Sequence, residues 1–332
     1  MTASAQQLAD LVQQEQAAEA AALEEQTVAE ADGGSGAALA TAVTAALAGW
    51  VAAFGALTAA GTGVTLTRYL TGVRQATERA TVGLERRATA AIEERLPAAA
   101  AMGARHAAEF ARAAGAAARV PEVEVPGEAL DAVRALAGTV REQLRLSARL
   151  LTPREIRRSG WRGVIAGVGA ARRAVALTGQ TAAWAIHRSV NAGAAQATAA
   201  LGARGLWVSE PDACVSCLAY AGQLADHDGR FPGGLSLDPH QRAAHRPGID
   251  GPPLHPRCRC RLTPWRDSWA SGRTALPDLL RDQAWHAVAA GRGRPSESQA
   301  ARLRAARALL AQRGVSDRVR RQAQAAVTAG HF

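Results

Sequence analysis

Four cysteines and one histidine carry the chemistry this sequence offers. Cys214-Val215-Ser216-Cys217 separates two thiols by two residues, and His255-Pro256-Arg257-Cys258-Arg259-Cys260 adds an imidazole and two further thiols. The 332-residue chain has no other cysteine. A C-x-x-C turn lets two thiolates converge on one ion. In an extended C-x-C segment, residues i and i+2 share a face, so Cys258 and Cys260 could reach the same ion while Arg259 points away. Zinc takes four N or S donors in a tetrahedron, with sulfur at about 2.3 Å. Five candidates therefore compete for four places. The expected set is Cys214, Cys217, Cys258 and Cys260, with His255 as the substitute for one of them. Pro252, Pro253 and Pro256 stiffen the intervening loop and reduce the entropy lost when it is ordered.

Two other readings of the cluster compete: a metal-free or disulfide-linked thiol group, and a catalytic metal. A catalytic zinc keeps one position open to water and has a carboxylate base nearby. Four or five soft donors leave little room for that, and Asp226, Asp228, Asp238 and Asp250 read as turn residues. His227, His240 and His245 are scattered through the same loops at a spacing that fits no nuclease site. A histidine-metal nuclease acting on DNA is nevertheless the enzymatic alternative. The chain has no Gly-rich phosphate loop after a strand, no G-x-S-x-G and no Ser/His/Asp set. No catalytic residue is expected, and the protein is read as not an enzyme.

The elements that must position these donors follow from texture. Gly202-Ala203-Arg204-Gly205 ends a long helical pattern, and Leu206-Trp207-Val208 reads as a short strand. Asp226-His227-Asp228-Gly229 suits a hairpin turn between residues 222–224 and 230–231. Residues 258–262 read as a last strand. Upstream, residues 2–31 read as an amphipathic helix with a thin Leu8, Leu11, Val12 and Leu23 stripe, ended by a flexible Gly33-Gly34-Ser35-Gly36 joint. A charged helix covers 68–96 until Pro97 interrupts it, and another covers 98–118. Helices at 127–150, 153–175 and 178–203 follow, the second with Thr152 as N-cap and Pro153 at N1. Downstream, helices are expected over 274–290 and 296–313, the latter opened by a Ser296/Gln299 capping box.

Residues 33–67 carry no charge, and 12 of residues 37–60 are alanine. Length alone permits a membrane span. Leu39, Val43, Leu47, Trp50, Phe54 and Leu57 nevertheless recur at helical spacing, which marks one packing face, so no stable membrane insertion is expected. Hydrophobic residues make up 48% of the chain but aromatics only 4%, so long helices should pack closely through small side chains.

The net charge is +10, unevenly placed. Residues 1–32 hold seven acids and no base, whereas residues 261–332 hold 13 arginines and five acids. Such asymmetry suits oppositely charged partners, and the basic end could meet nucleic acid. The polar, acidic N-terminus has no basic n-region of a secretory signal, and a cytosolic setting would keep the thiols reduced for metal binding.

Trp207, Asp212, the C-x-x-C pair, Gly222 and the run Pro252-Pro253-Leu254-His255-Pro256-Arg257-Cys258-Arg259-Cys260 together resemble the C-terminal signature of phage Mu F-like head-morphogenesis proteins. These are minor capsid proteins of tailed phages. Residues 185–193 are similar to that family's Arg-Thr-Glu…Asn helix, with Ser189 and Val190 standing where Thr and Glu are common. Asp212 also sits closer to Cys214 than is usual. The strong match covers about residues 180–265. The resemblance implies a low-copy virion component, inside the capsid at the portal vertex and in the host cytoplasm during assembly. It implies as partners the portal protein, a scaffold or major capsid protein and, non-specifically, double-stranded DNA.

The expected architecture is mainly α: a long Ala-rich helical region, a small α+β zinc-binding module and a basic helical tail. The expected segments are an acidic arm and linker at 1–36, a helical domain at 37–204, the Cys/His module at 205–265 and the tail at 266–332.

Overall fold

A computed structural model describes residues 3–58, 61–243, 246–269 and 275–332. Among the described residues the fold is mainly helical, with one two-stranded sheet. In chain order come α1 (Ala5–Asp10), a π-helical turn (Leu11–Glu15), α2 (Gln16–Asp32), α3 (Ser35–Phe54), α4 (Gly63–Thr81), α5 (Leu84–Ala113), α6 (Gly127–Leu150), α7 (Pro153–Ser159) and α8 (Trp161–Ala200). Then follow β1 (Arg204–Val208), the one-turn α9 (Val215–Leu218), β2 (Arg261–Trp265), α10 (Leu276–Ala289), α11 (Gln299–Leu310) and α12 (Asp317–Ala329). The chain divides into two compact units, one made of residues 1–23, 97–126 and 186–332, the other of 24–96 and 127–185.

The second unit is a set of helices built on the expected small-residue packing. α3 and α4 pack through Leu39, Ala42, Ala46 and Trp50 against Leu66, Leu70 and Val73. Trp50 anchors this contact, with Phe54, Tyr69 and Trp161 rings at 4.6, 5.5 and 5.9 Å. Leu47 and Leu57, expected on the same face, are instead exposed at 39% and 45%. The 20-residue α3 is long and apolar enough to cross a membrane by composition, with a mean hydropathy of 1.8.

Three expectations are corrected here. Gly33 and Gly34 adopt positive φ in a tight turn, and Arg87 bonds the Asp32 carbonyl at 3.2 Å and Ser35 Oγ at 2.8 Å, so the joint is fixed rather than flexible. The charged helix does not run through 68–96, because Gly83 at φ +67° separates α4 from α5. Pro97 does not end α5. Pro97 and Glu93, whose carbonyl loses its partner to the proline, are both exposed, so water can satisfy that carbonyl.

The first unit contains the sheet and the cysteines. α5 and α8 meet here at very short range: a Cβ on Gly103 would stand 1.8 Å from the Val190 carbonyl oxygen, and one on Gly193 1.9 Å from that of Ala100. β1 and β2 pair antiparallel from Arg204↔Trp265 to Val208↔Arg261. One apolar cluster joins Leu206, Val208, Trp265 and Trp269 to Leu8, Ala9 and Val12 of the N-terminal helix. Another joins Trp207, Tyr220 and Phe231 to Ala284, Val288, Ala305, Leu309 and Val319. Residues 266–332 are therefore no appended tail, because their helices share the core of the cysteine segment.

The turn at residues 226–229 forms, but not the expected hairpin. Leu224 bridges to Leu206 and Phe231 to Ile249. The last strand begins at Arg261, just beyond the cysteines. Helix α8 runs unbroken where two helices were expected, and Ser298, not Ser296, caps α11 by accepting from Ala301 N at 3.2 Å. α12 carries too thin an apolar stripe, Val319, Ala323 and Ala326, to stand out in the sequence.

Candidate metal centre

Strand register places the deepest thiol. Because Val208 pairs with Arg261, the residues just outside that pair, Ser209 and Cys260, come together. Cys260 Sγ lies 3.8 Å from Ser209 Oγ, and Ser209 Oγ donates to the Cys217 carbonyl at 2.7 Å. From α8, Asn191 Nδ2 donates to the Cys260 carbonyl at 3.0 Å, and its Oδ1 accepts from Leu262 N at 2.8 Å. One buried amide thus fixes the backbone on both sides of Arg261.

The other donors sit on a short turn and a loop. Cys214 is the N-cap of α9, accepting from Cys217 N at 3.5 Å, which brings both thiols of the C-x-x-C pair to one side. The Cys258 amide closes a turn onto the His255 carbonyl at 2.9 Å. Beneath them Trp207 stacks on Tyr220 at 4.5 Å and meets Phe231 edge-on at 5.3 Å. Gly222 is required beside this core: its φ is +74°, and a Cβ would stand 2.1 Å from the Pro277 carbonyl oxygen.

All five expected donors converge. Cys214, Cys217 and His255 form one group, Cys217, Cys258 and Cys260 a second, each with its donor atoms within 4.8 Å of one another. His255 Nε2 is 3.3 Å from both Cys214 Sγ and Cys217 Sγ, and Cys217 Sγ is 3.6 Å from Cys258 Sγ. A tetrahedron with Zn–S of about 2.3 Å needs sulfurs about 3.8 Å apart. The cluster could therefore hold a metal ion. Cys217 belongs to both groups, and no disulfide joins any of the four.

The close approach of the donors shifts their proton affinities in opposite directions. A hydrogen bond from Cys217, and another from His255, bring the Cys214 thiol down to about 4. Hydrogen bonds from Cys217 and Cys260 hold Cys258 well below its ordinary value. Cys217, donating to Cys214 and Cys258, is pushed up. Cys260 gains thiolate character from Cys217, but Cys258 and burial outweigh this and raise it. His255 is raised by its bond to Cys214. Metal binding to such a cluster requires deprotonated thiolates and a neutral imidazole, so it would release protons.

Arg259 does point away, to Glu210 at 3.2 Å and Asp212 at 3.7 Å. The other candidates are not gathered here. Asp238 is fully buried and accepts two bonds from Arg304, at 2.9 and 2.7 Å, and one from His240 N at 3.0 Å. Asp226 accepts the amides of Asp228 and Arg230 in its own turn, and Asp250 pairs with Arg230 at 3.4 Å. His227 and His240 belong to neither donor group. His245 lies outside the described residues.

Compared with family profiles, curated proteins and solved structures, the chain matches none.

Sequence reasoning missed Ser209, Glu297 and Arg302, which brace the cluster. Glu297 Oε1 accepts from Val215 N at 2.9 Å, and Arg302 Nη2 donates to the Ala213 carbonyl at 3.3 Å. Glu297 and Arg302 stand around the start of α11, where nothing local marks the distant backbone they hold.

Proposed function

We propose that this chain is a minor capsid protein that assists phage head morphogenesis and that its Cys/His cluster holds a structural zinc. The observation that carries the reading is the convergence of the residues that resemble the Mu F-like signature. Trp207, Cys214, Cys217, Gly222, His255, Cys258 and Cys260 build one module, with Asn191 of the similar helix bound to its backbone. A structural role for the ion is supported by the donors themselves. Thiolates and an imidazole fill four places, Cys217, Cys258 and Cys260 are buried, and no carboxylate belongs to either donor group. In the bound centre the chain's own groups would supply the ligands, and Ser209, Asn191 and the α9 turn would hold them in place.

On this reading the protein sits inside the capsid beside the portal, contacts scaffold or major capsid protein, and meets packaged double-stranded DNA through phosphates. The DNA-facing surface would be narrower at the C-terminal end than composition suggested. In the C-terminal region Arg302, Arg304 and Arg320 are engaged by internal bonds, while Arg307, Arg313, Arg318 and Arg321 stay exposed. In the second unit, Arg141, Arg145 and Arg149 form an i, i+4 ladder along α6, with Arg141 and Arg149 paired to Glu85 and Glu142, and exposed Arg154, Arg157 and Arg158 follow on α7. The test is co-expression with a portal protein. The reading expects co-purification with the portal ring and incorporation into procapsids at low copy; a chain that assembles with neither overturns it.

One observation favours a second reading. α3 is uncharged, and only 22% of its most apolar stretch is buried, which would suit a membrane-active protein. Flotation with liposomes separates the two, because a chain that stays at the bottom of the gradient has no such activity.

A further inference from the structure

A buried ion pair lies against the first thiol of the cluster, contributed by a part of the chain far away in sequence. Glu297 and Arg302 side chains are exposed by only 8% and 5% and contact each other. Glu297 Oε1 accepts the amide of Val215 at 2.9 Å, and Arg302 Nη2 donates to the carbonyl of Ala213 at 3.3 Å. The pair thus grips the residues on either side of Cys214, whose side chain is free to take a ligand position. Gly293 makes room for it, since a Cβ there would stand 1.3 Å from Arg302 Nη2. Burying such a pair is costly, and replacing one by apolar side chains is often neutral or stabilising. Bulk stability therefore does not account for its presence beside Cys214.

We propose that Glu297 and Arg302 are the outer positioning shell of the metal centre. This rests on the metal reading above. Outer partners orient ligands and tune their basicity, and losing one typically weakens metal binding 10–100-fold. Here the carboxylate fixes the amide that opens the C-x-x-C turn, the guanidinium fixes the carbonyl that precedes it, and the two hold each other. The consequence is that the metal centre and the α11 segment are coupled: the ion is held best when residues 293–302 are docked.

The test uses the full chain, titrated with Zn(II) against a chromophoric chelator and with Co(II) followed by its thiolate charge-transfer and ligand-field bands. Glu297→Ala and Gly293→Ala, the latter displacing Arg302 without removing either partner, should each weaken Zn(II) binding about 10–100-fold and alter the cobalt bands. Glu297→Gln keeps an oxygen acceptor for Val215 and should recover part of the loss. Arg320→Ala cuts bonds to the Leu310, Gln312 and Val315 carbonyls at and beyond the far end of the same helix and should leave metal affinity unchanged. Wild-type affinity and spectra in both Glu297→Ala and Gly293→Ala would overturn the positioning role, as would an equal loss in Arg320→Ala. A wild-type chain that binds neither ion would instead overturn the metal reading itself, and this proposal with it.

Discussion

Each thiol in the cluster has a different neighbour, and substitutions there should differ in effect. Cys258→Ser removes a sulfur 3.6 Å from Cys217 in the buried half of the site. Because His255 and three cysteines remain, it should weaken metal binding rather than abolish it, and it should lower thermal stability, as a metal titration and a melt would show. Asp238 and Arg304 test a different link. Burial alone would raise the Asp238 carboxyl, but hydrogen bonds from Arg304 and the His240 amide outweigh it and hold the group below its ordinary value. A group lowered in the folded state stabilises above the unfolded carboxylate range and loses that contribution as pH falls through its folded value. Arg304→Ala leaves a sealed, unpaired charge. Its urea midpoint should drop near neutral pH, and the deficit should shrink as pH falls through the carboxylate range, because the variant's Asp238, raised by burial, takes up a proton before the wild type's does. The donors were legible in the sequence because few arrangements other than a metal or a cross-link explain all a chain's cysteines in C-x-x-C and C-x-C pairs. The braces were not, because Ser209, Glu297 and Arg302 act through backbone groups that only the folded chain brings near.

Among the elements, α8 and β2 do most to place the centre. Asn191→Ala would leave the Leu262 amide and Cys260 carbonyl without their side-chain partner and should cost about 1–3 kcal/mol by chemical denaturation, with weaker metal retention. The α5–α8 crossing is set by Gly103 and Gly193, each with a backbone carbonyl under 2 Å from where a Cβ would be. Either glycine changed to alanine forces the helices apart and should destabilise by about 1–3 kcal/mol. Close packing through small residues was readable from the alanine content, whereas the particular glycines were not, since nothing local marks where two helices touch. The element errors have local causes. Pro97 suggests a stop, but its exposed face lets water satisfy the lost bond. The residue 226–229 turn was read rightly as a turn, yet the strands it joins found other partners, Leu206 and Ile249. Nothing local marks Arg302 and Arg304 as clamps, because the loops they hold are far away in sequence.

At the scale of the molecule, the sequence already showed a helical protein with a small Cys/His module. It did not show that residues 3–12 and 276–329 share that module's cores, because those contacts rest on sparse apolar residues spread over the whole chain. Charge is also redistributed by folding: the acidic N-terminal helix is partly neutralised where Glu19 meets Arg105 and Glu30 meets Arg95. Exposed arginines remain on α6 and α7. Replacing Arg145, Arg149, Arg154, Arg157 and Arg158 with glutamine should weaken duplex DNA binding roughly tenfold or more and flatten its salt dependence, whereas unchanged binding would remove that surface from the account. The central claim concerns the ion. Metal analysis of the purified full-length chain, followed by thermal unfolding with and without a strong chelator, tests it most directly. The account predicts about one zinc per chain and a marked fall in melting temperature when the zinc is stripped. A metal-free chain that is fully folded and melts at the same temperature with or without chelator would contradict it.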